Sequence, residues 1–217
     1  MLQGCDISEH NGDLTIDWFK QWQFVIIRVS TEWNSRLDYK FQQNWNNCAA
    51  AGIPRGAYGW PQKGRDNAAL GKQLVAAAPG AECGYWADYE TSDAGLCSTS
   101  ELEDYVRACD GGFYSNLSEL RRSAYLDSRP WWFANPSGNP PPRSWLIEQY
   151  KVTNLDYNRA YESLLSNGET LTADEHRWLQ SIYIRLGGDN GMGEKSGIGN
   201  SVFHTVEDIT VANKPGN

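Results

Sequence analysis

Nowhere does the chain contain 18 consecutive apolar residues, so no segment reads as a membrane-spanning helix. The opening Met1-Leu2-Gln3-Gly4-Cys5-Asp6 has neither a basic segment nor a following apolar stretch, and is not expected to be a secretory signal. Basic blocks are also missing. The 19 Lys and Arg stand against 27 Asp and Glu, giving a formal charge of −8 and a pI near 4.9. Arg121-Arg122 is too short to make a patch, so a nucleic-acid backbone is not the expected partner. Cysteine is sparse: Cys5, Cys48, Cys83, Cys97 and Cys109 are dispersed, odd in number and without zinc-ligand spacing. They read as structural thiols, with one or two disulfides as the alternative. No internal repeat of the kind that builds sugar-binding arrays is present.

Aromatic residues are plentiful instead, with 10 Trp and 11 Tyr among 217 residues. Some must fill a core, and others could stack on the apolar faces of sugar rings. At 40% hydrophobic residues and a mean hydropathy of −0.60, the chain should form one substantial soluble domain with a small appendage. Strand-like and helix-like segments alternate. Gln3 to Ile7 and the nearly continuous apolar run Phe24 to Val29 read as strands, with a short helical connection beginning at Ile16. Helices are expected over Asp38 to Ala51, Asn67 to Ala78 and Ser100 to Cys109. Strands are expected over Arg55 to Trp60, Glu82 to Glu90, Gly112 to Ser115, Trp131 to Ala134 and Trp145 to Tyr150. This rhythm favours an α/β barrel over an open dinucleotide sheet, and the shortage of helices in its second half favours abbreviated final connections. Thr172 is expected to cap a helix over Ala173 to Leu186 that docks on the barrel, joins subunits or, least favoured, targets a wall.

Asp88-Tyr89-Glu90 lies at the end of one such strand. Residues two apart on a strand share a face, so the two carboxyls can project together while Tyr89 faces the other way. Paired carboxyls suit glycoside cleavage, where one must protonate the leaving oxygen and another manage developing positive charge or activate the attacking group. Alone, an Asp-x-Glu triplet more often serves solvation, capping or an ion pair.

A longer ordered pattern adds weight. Gly4-Cys5-Asp6-Ile7-Ser8, Ile16-Asp17-Trp18, Phe24 to Thr31-Glu32, Asp38, Phe41, Asn44, Ala50-Ala51-Gly52-Ile53 and Gly56-Ala57-Tyr58 come first. Trp86-Ala87-Asp88-Tyr89-Glu90, Tyr114-Ser115, Trp131-Trp132-Phe133-Ala134, Gln149-Tyr150 and Asp156-Tyr157-Asn158 follow. Together, over about residues 3 to 160, they make the chain resemble family 25 glycoside hydrolases, the Chalaropsis-type lysozymes. The resemblance implies a modified TIM-like (β/α)5(β)3 barrel, assigned here to residues 1–170, with residues 171–217 as the appendage. It also implies an N-acetylmuramidase that cuts bacterial peptidoglycan between N-acetylmuramic acid and N-acetylglucosamine. Without a signal, the chain resembles a phage endolysin made in the host cytoplasm, which would need a separate holin to reach the wall.

Carried onto this sequence, the family site comprises Asp6, Asp88, Glu90 and Asp156. Glu90 is the expected general acid, and Asp88 would orient the substrate N-acetyl group, attack directly or activate water. Asp6 and Asp156 would tune the charge, a turn acceptor and a cap being their plain alternatives. Tyr58, Trp60, Tyr114, Trp131, Gln149 and Tyr150 are the expected substrate contacts. Arg28 fits a pairing with a site carboxylate or an ordinary interior salt bridge. No metal and no cofactor are expected, since no His accompanies the acids at ligand spacing. Gly59 and Trp60 stand where the family often has a His and an aromatic, which would reshape a subsite. Glu9-His10-Asn11 replaces the usual turn after the first acid, and His10 reads as a polar loop residue. Competing readings are a catalytically weak wall-binding or structural protein and a chitinase-like glycosidase.

Overall fold

A computed structural model describes residues 1–32, 36–91 and 95–165. The expected C-terminal helix and appendage lie outside these residues, as does any assembly through them. None of the described helices is long and apolar enough to cross a membrane.

Eight strands close a barrel in sequence order: β1 (Leu2–Ile7), β2 (Phe24–Arg28), β3 (Arg55–Gly59), β4 (Tyr85–Asp88), β5 (Gly112–Ser115), β6 (Trp131–Ala134), β7 (Ile147–Val152) and β8 (Asp156–Ala160). Neighbouring strands from β1 to β7 run parallel, and β8 closes the barrel antiparallel to both β7 and β1. This is the modified TIM-like α/β barrel expected from the sequence. Helices α1 (Ile16–Phe19), α2 (Phe41–Ala50), α3 (Asn67–Ala77) and α4 (Thr99–Cys109) follow the first four strands, and the fifth connection holds only a 3-10 turn at Leu126–Ser128.

Each helix has a recognisable local cause. Phe41, Asn44, Trp45 and Cys48 recur at helical spacing on α2 and are its buried residues. On α4 the buried set is Leu102, Tyr105, Val106 and Cys109. This helix starts earlier than the sequence suggests: Ser98, not Ser100, caps it, accepting from the Glu101 amide while the Glu101 carboxylate accepts in turn from the Ser98 amide. α3 and α4 touch closely because Gly71 lies between them; a Cβ there would sit 2.5 Å from the Tyr105 carbonyl oxygen.

The barrel wall separates two apolar clusters. Cys5, Val25, Ile27, Ala57, Ala87, Phe113, Trp131 and Phe133 face outward against the helices. Phe24, Ile26, Trp86, Trp132, Ile147 and Ala160 fill the interior, with Leu164 packed against them. Leu164 follows Ala160, which pairs with Leu2 at the start of β1, so its turn plugs the end of the barrel where the parallel strands begin. The carboxyl end of those strands stays open, as in barrels whose sites sit in the strand-to-helix loops. All five cysteines are buried free thiols, and they join this packing as small apolar groups.

Candidate active site

Strand alternation decides which residues reach the open end. Asp6 on β1, Arg28 on β2, Tyr58 on β3, Asp88 on β4, Tyr114 on β5, Trp132 on β6 and Gln149 on β7 are inward-facing residues near the ends of parallel strands. Asp156 reaches the same rim by a different route. Because β8 is reversed, its first residue stands level with the end of β1, and Asp156 pairs across the ladder with Asp6. Two carboxyls at directly opposed antiparallel positions have Cβ atoms about 4.5–5.5 Å apart, where two full charges repel. Glu90, two residues beyond Asp88, lines the same space. The resulting cleft has a volume of about 690 Å³, within the range of small-molecule and saccharide sites.

The four acids have distinct surroundings. Asp6 is buried, with Oδ2 accepting from Gln149 Nε2 at 3.1 Å and Asn158 Nδ2 at 2.6 Å. Burial and the facing Asp156 push its carboxyl up to about 8, although the two amide donors favour the anion. Asp88 is buried too, and its Oδ1 has no hydrogen-bond partner among the described residues. Burial, then Glu90 and Asp6, raise its proton affinity well above the ordinary carboxylate value, with Arg28 opposing them. Glu90 is half-buried, and burial followed by Glu119 and Glu32 raises it to about 7. Burial also raises Asp156. The cluster therefore holds protons at pH values where isolated carboxylic acids have lost them, and acids that share protons titrate as a group.

One hydrogen-bonded chain supports this acid floor. Trp132 Nε1 donates to Asn158 Oδ1 at 2.9 Å, Asn158 Nδ2 donates to Asp6, Gln149 Nε2 donates to the same Asp6 oxygen, and Tyr114 OH donates to Gln149 Oε1 at 3.0 Å. Trp132 is also the aromatic hub, with ring centroids 4.8 Å from Tyr114, 5.9 Å from Tyr58 and 6.0 Å from Trp86. Trp60 lines the cleft as well, and its buried Nε1 is a donor without a partner among the described residues. Such an indole can stack on a ring and offer it a hydrogen bond.

Arg28 is the cationic counterweight. Its Nε donates to Asp38 Oδ2 at 2.8 Å, Nη2 lies 3.4 Å from Glu9, and the guanidinium borders the cleft. Glu9 in turn receives both terminal nitrogens of Arg36 and the Tyr39 amide. Those bonds, the Arg36 pair foremost, hold Glu9 down at about 2. The Glu9-His10-Asn11 turn thus anchors the loop after β2 through Glu9 and places His10 on the cleft wall.

Several expectations need correction. Trp131 does not line the cleft: it is fully buried in the outer cluster, donating to Ser115 Oγ at 2.9 Å. Its neighbour Trp132 takes the inward position. Tyr150 likewise points away, with its hydroxyl donating to Gln3 Oε1, because adjacent strand residues cannot both face inward and Gln149 does. Gly59 does not shape a subsite. A Cβ there would come within 2.6 Å of Ser30 Oγ and 2.7 Å of the Tyr105 hydroxyl, so the position faces the helices and a larger residue would require those side chains to shift. The sequence reading also missed Trp132 and Asn158 as site residues. Asn158 was within reach, standing two residues after Asp156 on one strand face. Trp132 gave no such sign beside an equally aromatic Trp131.

No protein-family model matches the chain, and no curated protein matches it in sequence. Solved structures do match its shape. The catalytic domain of an endolysin from bacteriophage P40 of Listeria monocytogenes superposes with a TM-score of 0.58 at 19% identity, covering 76% of this chain and 96% of that one. A family 25 glycosyl hydrolase from Bacillus anthracis gives 0.61 at 16% identity, covering 74% and 89%. A muramidase from Acremonium alcalophilum gives 0.63 at 19% identity, covering 78% of this chain and all of the other. The chain shares its barrel fold with these structures.

Proposed function

We propose that this barrel is a peptidoglycan hydrolase of the N-acetylmuramidase kind, cutting the β-1,4 bond from N-acetylmuramic acid to N-acetylglucosamine. The observation that carries this reading is the convergence of Asp6, Asp88, Glu90 and Asp156 on one cleft, with Glu90 raised to about 7. Likeness of fold to an endolysin domain, a family 25 hydrolase and a muramidase supports it.

Glu90 is the general acid. It is less buried than Asp6 or Asp88, and burial with Glu119 and Glu32 raises it to about 7, so near neutrality it can give a proton to the departing glycosidic oxygen. Asp88 sits two residues away with an unpartnered Oδ1, suited to accept the N–H of a substrate acetamido group and turn its carbonyl oxygen toward the anomeric carbon. Asp6 and Asp156 share protons with the other two acids, tune the charge around the reacting centre and hold the arrangement in place. Trp60, Tyr58, Tyr114 and Gln149 border the bound sugar. An endolysin setting, with a separate holin giving passage to the wall, completes the proposal.

Purified protein should release fragments of peptidoglycan with new reducing ends on N-acetylmuramic acid, read by mass spectrometry after borohydride reduction. Glu90→Gln should keep the fold and lose on the order of 100-fold in kcat. Reducing ends on N-acetylglucosamine would indicate a different glycosidase, peptide-bond products would reject the reading, and an inert protein that still adheres to walls would make it a binder.

A further inference from the structure

Glu119 stands outside the cleft wall, in the segment after β5, yet it governs the residue next to the acid. Its Oε1 accepts from the Thr91 amide at 2.9 Å and from the Thr91 hydroxyl, and its Oε2 accepts from Asn116 Nδ2 at 2.7 Å. Asn116 is itself fixed, its Oδ1 accepting from the Glu119 amide at 3.0 Å and from Ser118 Oγ at 2.7 Å. Thr91 and Asn116 both line the cleft. One carboxylate thus ties the chain leaving β4, immediately after Glu90, to the chain leaving β5.

We propose that Glu119 is the positioning residue for Glu90, clamping the backbone that carries the acid and setting a fixed negative charge beside it. The inference rests on the reading of Glu90 as general acid. The clamp supplies what that role needs mechanically, because Glu90 lies beyond the last residue of β4 and no ladder bond of that strand holds it. The hydrogen bonds to Thr91 and Asn116 hold the Glu119 carboxylate in place beside that segment. Placed there, it opposes ionisation of Glu90, and among the charges acting on that acid it is the largest.

Other charges face Glu90 as well. Asp88 lies on its own segment, Asp6 on β1, Arg28 and Glu32 on β2 and its loop, Tyr114 on β5 and Asp156 on β8, with His10 on the same wall. Glu119 differs from these in lining no part of the cleft itself and reaches the wall only through Thr91 and Asn116. Glu119→Gln keeps an acceptor for Thr91, removes the charge and gives up the bond from Asn116 Nδ2, which then faces an amide NH2. The expected result is a basic limb of the kcat/KM profile moved to lower pH by roughly half a unit or more. Thr91→Val keeps the charge and removes a bond, and should leave the limb in place while lowering kcat.

A second readout separates the inference from the reading beneath it. Carbon-detected NMR titration of the Glu90 carboxyl in parent and Glu119→Gln follows the coupling without turnover. A downward shift there together with a moved activity limb supports the proposal. A downward shift with an unmoved limb leaves Glu119 coupled to Glu90 and removes Glu90 as the general acid. An unmoved Glu90 titration overturns the role of Glu119, whatever happens to the rate.

Discussion

Replacing Asp6 by Asn removes a carboxyl that the fold holds in an unfavourable place, so the substitution should stabilise the protein, and only above a certain pH. Asp6 moves from an ordinary value of 3.8 to about 8 on folding, through burial and the Asp156 carboxyl opposite. The folded state therefore binds this proton more tightly than the unfolded chain. The stability it contributes is complete below about pH 4 and is lost as pH rises through about 8. At about 1.4 kcal/mol per unit, the loss between pH 5 and pH 8 reaches about 4 kcal/mol as a ceiling. Water in the open cleft and proton sharing with the other acids reduce this to about 1–2 kcal/mol. The substituted carboxamide has nothing to ionise, and its carbonyl oxygen can still accept from Gln149 and Asn158. Relative to the parent, Asp6→Asn should melt roughly 2–8 °C higher at pH 8 than the gap seen at pH 5. Differential scanning calorimetry at the two pH values measures this. An equal gap at both, or one that shrinks as pH rises, would refute the argument that the folded cleft retains the Asp6 proton.

Three other outcomes follow from particular contacts. Asp38 is buried and accepts from Arg28 Nε, so Asp38→Asn leaves that guanidinium short of its charge partner; urea denaturation should show a loss of about 3 kcal/mol or more, and a loss below about 1 kcal/mol would mean that Glu9 suffices to hold Arg28. Trp131→Phe should lower stability by about 1–3 kcal/mol while leaving KM unchanged, whereas Trp132→Phe should change KM, because only Trp132 lines the cleft; equal effects on KM would return Trp131 to the site. The five thiols are buried, with Cys48 and Cys97 raised to about 12 mainly by burial, so a thiol reagent should label the native protein slowly and reach five per chain once it is denatured; rapid native labelling would contradict the packing.

What the sequence disclosed about the site follows from where strand alternation is visible in it. At β4 the outward residues Ala87 and Tyr89 differ in chemistry from the inward Asp88 and Glu90, so the face could be read. At β6 both sides of the strand are buried, one against helices and one in the barrel, and Trp131-Trp132-Phe133 satisfies either phase. Only the register with β5 and β7 fixes it. The rim of β7 was beyond reach for another reason. An irregularity between Gln149 and Lys151 shifts the alternation by one residue, so Val152 lines the cleft while Lys151 turns out to lie over the Tyr157 ring. The start of α3 was legible at Asn67, after the Asp66 cap, but the start of α4 slipped where Ser98 and Ser100 offered the same oxygen, and α2, expected from Asp38, begins at Phe41 with no side-chain cap at Lys40.

The reversed last strand explains why the acids can be assembled at all. In a barrel of eight parallel strands, a residue at the start of β8 would lie at the closed end, far from Asp6. Running β8 antiparallel puts its first residue at the mouth and pairs Asp156 with Asp6 across the ladder, while the inward alternation brings Asn158 one step deeper to donate to Asp6 Oδ2. The same strand thus supplies the charge that raises Asp6 and an amide that partly offsets it. Replacing Asn158 by Leu would remove the donor and leave the repulsion, raising Asp6 further and making the parent's pH-dependent loss of stability steeper. Asp156→Asn would do the reverse. The opposite signs expected at two residues of one short strand are what a purely structural role for β8 would not produce.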